Sequence, residues 1–471
     1  MRKTLVVLLA AVLMGSMAVA ELQNVQVGGS IRIRGNWYMN QDDWNDDIGN
    51  TLSYVEQRTR LNVKADFSDG VAAFIELDSY DLWGDDFRSN YITGVDTRAR
   101  TFDDVEIYQA YVEANDMFDQ PLRLRIGRQE MPLGGQWLVG VNDVSSANWN
   151  QAIAGTGGWG LSFDAVRLTY ESDTISVDAF MAKLADTSPA VEDSDIDFYG
   201  VYGSYIGIED ITIDAYWLFL RDPLKDRDLR FRSGPWYRRT WKDSDAIQLH
   251  TVGLRSAGVL GAVDYEAEVA YQFGDAERYM LVEGADFEAF AANLEVGYTF
   301  DTTMVPRIYV GGCWFEGPDG DAPAFNRLFS NWEYSEFLDQ DGSLSNVWLV
   351  RGGIQAMPTE SIELAAVVTY FETLDAFEAP AHITLWGRRF PVAGPFTFWT
   401  MRNSKGLGVE AALYATYHYS EDLTFEAGWA HLFTSSGLTD GQFVLNNGLG
   451  FTGGTSDKDA DYLYLEARIN F

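Results

Sequence analysis

The chain ends in Asp461-Tyr462-Leu463-Tyr464-Leu465-Glu466-Ala467-Arg468-Ile469-Asn470-Phe471, and the spacing of its apolar residues decides the fold. Leu463, Leu465, Ala467, Ile469 and Phe471 fall on one face, and Tyr462, Tyr464, Glu466, Arg468 and Asn470 fall on the other. A period of two marks a strand with one apolar and one polar side. The pattern recurs along the chain. Leu122, Leu124 and Ile126 alternate with Arg123 and Arg125; Val263, Tyr265, Ala267, Val269, Tyr271 and Phe273 oppose Asp264, Glu266, Glu268 and Gln272. No stretch shows a helical period.

Such segments predict strands near 25–39, 53–67, 71–82, 105–114, 122–130, 162–171, 174–183, 195–206 and 211–220. They continue near 246–256, 263–274, 287–300, 306–315, 345–357, 362–371, 407–419, 423–432 and 460–471. That is about eighteen, inside the even-numbered range of bacterial outer-membrane barrels. Tight turns at Ser68-Asp69-Gly70, Ser172-Asp173, Gly207–Asp210, Pro358–Ser361 and Ser420–Asp422 alternate with long stretches near 83–104, 131–161, 221–245, 316–344, 372–406 and 434–459. Short periplasmic turns and long external loops belong to a transmembrane antiparallel β-barrel. Sandwiches and propellers seldom sort their loops by size this way. Lipid cannot hydrogen-bond an open strand edge, so the sheet must close, with apolar residues outward and polar residues inward. Trp37, Trp83, Trp217, Trp314, Tyr419 and Trp429 stand near strand ends, where interface girdles form.

The N-terminus fits the same destination. Arg2 and Lys3 precede an apolar core from Leu5 to Met14, closed by Ala18-Val19-Ala20, the pattern of a cleaved signal peptide over 1–20. The core is too short for the ~20 residues of a spanning helix. The barrel then occupies 21–471 as one domain, exported to the outer membrane, with its lipid as one partner. The terminal Phe471 resembles the C-terminal signal read by outer-membrane assembly machinery, a second expected partner. The single cysteine, Cys313, excludes an intrachain disulfide and is expected to fill a wall position. The formal net charge is −36, and loss of Arg2 and Lys3 takes it to −38. Such acidity excludes nucleic acid as a partner, because phosphates would be repelled. Disorder, the other common reading of high net charge, is excluded by 46% hydrophobic and 14% aromatic residues.

Parity turns Arg32, Arg34, Arg58, Arg60, Arg123, Arg125 and Arg167 inward, with Lys64. Arginine's planar fork suits carboxylates, so these could form a basic constriction for anionic solutes. Wall salt bridges are the other reading, and register arithmetic tests it. Phe67 and Val71 across their turn set Arg60 opposite Asp78; Tyr170 and Ile175 set Arg167 opposite Asp178; Ala114 and Leu122 set Arg123 opposite Glu113. Arg32, Arg34, Arg58 and Arg125 find no acid in hairpins whose register can be set, and stand as the better solute contacts. Parity with Ile126 would turn Arg128 toward lipid, unless it sits at the rim or follows a bulge.

The stretch Arg221–Asp245 holds a second basic cluster, and Trp236, Arg238, Arg239 and Trp241 could contact an acidic sugar by stacking and charge. Docking on anionic lipid or on acidic neighbouring loops is the alternative. Acidic runs at 41–47 and 192–197 do not match a calcium loop. No serine nucleophile with a partnered histidine, metal-ligand spacing or phosphate-binding loop is present, so neither catalysis nor a cofactor or metal is expected.

Leu122–Gly140 (LRLRIGRQEMPLGGQWLVG), Ser162–Tyr170 (SFDAVRLTY), His250–Gly258 (HTVGLRSAG) and Asp264–Gly274 (DYEAEVAYQFG) together resemble the alginate export family of outer-membrane porins. The resemblance covers most of the chain and is densest from 105 to 275. It implies an eighteen-stranded barrel with an arginine-rich pore through which an anionic polyuronate leaves the cell. In the matching stretches that role passes to Arg123, Arg125, Arg128 and Arg167. Glu76, Asp78, Glu113, Asp178, Glu266, Glu268 and Glu295 also point inward, so the lumen departs from a uniformly basic one. The expected function is a passive channel for an anionic carbohydrate. A general or nutrient-uptake porin, and an enzyme or adhesin using the barrel as scaffold, are the alternatives.

Overall fold

The computed structural model describes residues 22–40, 51–83, 105–141, 161–185, 195–222, 246–279, 282–319, 322–339, 344–375, 382–385, 388–391, 404–439, 443–445, 450–452 and 458–471. The expected signal segment, the acidic run at 41–47 and the loop residues Trp236, Arg238, Arg239 and Trp241 lie outside the described residues.

Eighteen strands form one antiparallel sheet. The first nine are β1 (Leu22–Met39), β2 (Leu52–Phe67), β3 (Val71–Leu82), β4 (Glu106–Ala114), β5 (Leu122–Gln129), β6 (Phe163–Glu171), β7 (Ile175–Ala185), β8 (Ile196–Ile208) and β9 (Ile211–Asp222). Six more follow: β10 (Ile247–Leu260), β11 (Val263–Tyr279), β12 (Val282–Thr299), β13 (Arg307–Phe315), β14 (Val347–Thr359) and β15 (Ile362–Thr373). Outside the wall lie two small hairpins, β16 (His382–Leu385) with β17 (Arg388–Pro391), and β20 (Phe443–Leu445) with β21 (Gly450–Thr452). The wall is completed by β18 (Gly406–His418), β19 (Leu423–Thr434) and β22 (Ala460–Asn470). Every strand expected from alternation is present. Several bounds shift by a few residues, most of all between β11 and β12, which stay paired as far as Tyr279 and Val282, through register shifts at Asp275–Arg278. The polar run there has no two-residue period, so nothing in its spacing marks it as strand.

The C-terminal segment closes the barrel. β1 pairs with β2 on one side and with β22 on the other, Gly35 opposite Leu465 and Arg34 opposite Glu466. Gly29 and Phe471 exchange both backbone bonds, at 2.8 and 3.0 Å. With the seam closed, the sheet has no edge, as a spanning sheet requires. Leu463, Leu465, Ile469 and Phe471 face outward and are exposed, as are Val166, Leu168, Val201, Ile213, Leu254, Leu294, Val310, Val350 and Leu413. Trp37, Trp83, Trp217, Trp314, Tyr419 and Trp429 are all exposed on this outer face.

The interior is not polar throughout, which corrects the simple inward-polar expectation. Phe163, Phe180, Phe198, Phe315, Phe371 and Leu349 point inward and are buried. They are covered by two segments from long loops, 130–141 and 322–339. Val139 and Phe329 bridge these segments, and Gly140 N–H and Phe329 N–H donate to Phe329 O and Leu138 O at 2.8 Å each. Asn331 N–H donates to Gln136 O at 3.1 Å, and the Trp332 indole to Gly135 O at 2.5 Å. Trp137 donates from its indole to the Tyr334 hydroxyl at 3.0 Å and stacks on Phe315 and Phe325. Phe329 meets Phe163 and Phe198 edge-on, with centroids 5.1 and 5.0 Å away. Inward aromatics thus serve a packed insert rather than water, and the hydrophobic effect seats it. Cys313 is buried in the same cluster.

Candidate functional site: the charged lumen

The strands fix where each inward arginine sits, and almost all lie against carboxylates. Arg34 Nε donates to Glu466 at 2.7 Å, with Glu426 3.8 Å from its other arm. Arg32 lies 3.5 Å from Glu56. Arg58 grips Asp78 through Nε and Nη2, at 3.0 and 2.7 Å to one oxygen. Arg60 lies 3.5 Å from Asp78, 3.9 Å from Glu76 and 3.9 Å from Glu130. Arg125 holds Glu113 at 2.6 Å, and Arg167 holds Asp178 at 2.7 Å. Bidentate pairs of this kind fix guanidinium planes as well as charge.

Of the three pairs that register arithmetic set, two differ in the structure. Arg60 is opposite Asp78, as the arithmetic gave. Asp178 is opposite Thr169, not Arg167, because the turn closes between Ser172 and Ile175; Arg167 still reaches it diagonally. Glu113 is opposite Arg125, not Arg123, because the connection through left-handed Asp116, Phe118 and Asp119 uses two more residues on the β5 side. Arg123 is left 38% exposed, 4.0 Å from the exposed Glu171. Arg32, Arg34, Arg58 and Arg125, expected to lack an acid, are therefore paired. Arg34 is only 2% exposed. Arg128 does not line the lumen: it continues the outward parity of Ile126 and binds Asp164 bidentately on the outer face, at 2.8 and 2.9 Å.

Sequence reasoning missed part of the lumen. Arg255 donates to Glu266 and Asp214 at 2.7 Å each. Arg307 binds Asp264 and Glu295, and Arg351 binds the second Glu295 oxygen at 2.6 Å. Arg468 lies 3.0 Å from Glu466. Parity in the same alternating strands turns all four inward, and Arg468 already stood on the polar face of the last strand. Arg327, inside the insert, carries no periodic signal. Its guanidinium bonds both Asp339 oxygens at 2.7 Å and lies 4.7 Å from the Phe315 centroid.

Tyrosines complete the arrangement. Arg34 lies over Tyr464 at 4.0 Å, Arg60 over Tyr108 at 4.1 Å, Arg125 over Tyr111 at 4.2 Å and Arg307 over Tyr309 at 4.8 Å. A guanidinium on an aromatic face keeps its in-plane N–H groups for acceptors. The most exposed lumen cations, Lys64, Arg123 and Arg468, gather toward the short-turn end, and the sealed ones lie deeper. Among the described residues, no cluster of histidine, cysteine and carboxylate side chains is arranged to hold a metal ion.

A closed barrel with a charged, partly filled lumen is an outer-membrane channel. The chain belongs to the alginate export family, whose model matches residues 23–433. No curated protein matches it in sequence. Among solved structures it is similar to Pseudomonas aeruginosa OccK8 (OprE), with 12% identity, TM-score 0.53 and coverage of 96% of this chain and 99% of that one. Acinetobacter baumannii OccAB4 gives 11% identity and TM-score 0.54, covering 95% and 98%. Pseudomonas aeruginosa OccK2 (OpdF), crystallised in complex with glucuronate, gives 11% and 0.51, covering 96% and 100%. At these identities the likeness is one of fold.

Proposed function

We propose that this channel passes an anionic carbohydrate, a polyuronate or acidic sugar, by passive diffusion. The observation that carries the reading is the arginine-on-tyrosine pair repeated along the lumen wall, partly exposed where Arg125 lies over Tyr111 and Arg307 over Tyr309. There the arginine edge accepts a carboxylate, and the neighbouring ring offers an apolar face to a sugar ring. Wall acids already holding those edges act as exchange partners. A solute carboxylate replaces one, so the net cost of each step stays small. The family's description as alginate export supports a uronate polymer as cargo, and so does OccK2, a barrel of similar fold crystallised in complex with glucuronate. Arg123 and Arg468, near the short-turn end, would receive the chain from the periplasm. Delivery by the N-terminal signal segment and assembly through the strand ending in Phe471 belong to the same reading, and it assigns no catalysis.

Proteoliposome swelling tests the cargo class. Galacturonate should enter faster than galactose, which is nearly the same size and uncharged. Equal rates, or faster entry of galactose, would contradict the reading.

A further inference from the structure

Each of the two inserted segments presses one carboxylate against the arginine–tyrosine wall. Glu130, the first residue after β5, accepts the Tyr108 hydroxyl at 2.5 Å on Oε1, and the same oxygen lies 3.9 Å from Arg60 Nη1. Tyr108 carries that same Arg60 guanidinium on its face. Gln109 Oε1 accepts the Glu130 backbone N–H at 3.2 Å, which anchors the segment's foot. The second segment repeats the arrangement on the far side of the seam. Glu336 accepts the Tyr414 hydroxyl at 2.8 Å, and Tyr414 packs 6.4 Å from Tyr464, the ring that carries Arg34. Desolvation inside the lumen raises the Glu336 carboxyl above its ordinary range, against the Tyr414 hydroxyl and the Arg34 guanidinium, which pull it down.

We infer that Glu130 and Glu336 occupy two subsites for sugar carboxylates, holding the places that an anionic chain must take from them. This rests on the anionic-carbohydrate reading above. In each subsite a tyrosine hydroxyl donates to the carboxylate beside an arginine stacked on a tyrosine, the donor set a uronate requires. Both resident carboxylates come from segments that fill the lumen, so a solute that takes their places lodges beside the insert and narrows the channel further. Selection is then made by the carboxylate, because only a ligand bearing the same group competes for the same donors.

Single-channel recording on the full-length protein tests this with trigalacturonate as blocker and maltotriose as uncharged control. Glu130→Gln and Glu336→Gln keep shape and a hydrogen-bond acceptor but remove the competing charge. Each should lower the half-blocking concentration of trigalacturonate about tenfold, the equivalent of one charge-assisted hydrogen bond, and leave maltotriose unchanged. Heat-modifiable migration on gels scores folding of each variant, and either one alone suffices. Block of the wild type with unchanged sensitivity in the variants would overturn the inference and leave the cargo class standing. Absence of block in the wild type and in both variants would overturn the two together.

Discussion

Replacing Arg327 by methionine is expected to raise single-channel conductance and its noise, without unfolding the barrel. Arg327 is buried, and its guanidinium ties both Asp339 oxygens, the Ser330 hydroxyl and the Trp332 carbonyl into one knot. Asp339 in turn accepts the backbone N–H groups of Tyr334 and Leu344 at 3.0 and 2.9 Å. Without the cation, Asp339 stays buried with neutral donors alone, and breaking such a pair costs about 3–5 kcal/mol. That is a large part of what a short segment can gain from its contacts, so 322–339 should leave its seat. The strands do not depend on this knot, and heat-modifiable migration should be retained. Replacing Asp339 by leucine in the same chain should restore much of the wild-type conductance, since an apolar pair of similar volume is often neutral. Wild-type conductance in the single variant would show that the segment is not what narrows the lumen.

The seam should be the weakest point to strip of charge. Arg34→Ala leaves the buried Glu466 at the junction of the first and last strands with Arg468 as its cation, and removes the cation from Tyr464. We expect a loss of about 1.5–3 kcal/mol, that of one buried charge-assisted hydrogen bond, seen as a lower urea midpoint in detergent micelles. Arg123→Ala should lose less than about 1 kcal/mol, because its partner is 4.0 Å away and solvated. Its effect belongs instead on solute entry. Equal losses in the two variants would mean that pairing at the seam does not stabilise closure.

These contrasts also mark where sequence reading succeeds and stops. Alternation in 461–471, and in every other wall strand, is a local signal of period two, so strand number and the outward set were legible. Register across Ser68–Gly70 was legible because the turn is symmetric. The 115–121 connection is not, since its left-handed residues shift the pairing by two and exchange the roles of Arg123 and Arg125. Arg34 and Glu466 are 432 positions apart and meet only through closure. Arg58 reaches Asp78 along a diagonal that a facing-pair count does not include. The inserted segments were illegible for a different reason. Their contacts, Trp137 with Tyr334 and Gln272 with Asn326, obey no period, and their apolar residues read as loop.

The central claim is that the arginine–tyrosine wall recognises a sugar through its carboxylate. Block of the wild-type channel in planar bilayers by trigalacturonate, compared with maltotriose at equal concentration, tests it most directly. The account predicts resolved closures whose frequency rises with trigalacturonate and that maltotriose does not produce. Equal block by the two trisaccharides, or stronger block by maltotriose, would contradict it.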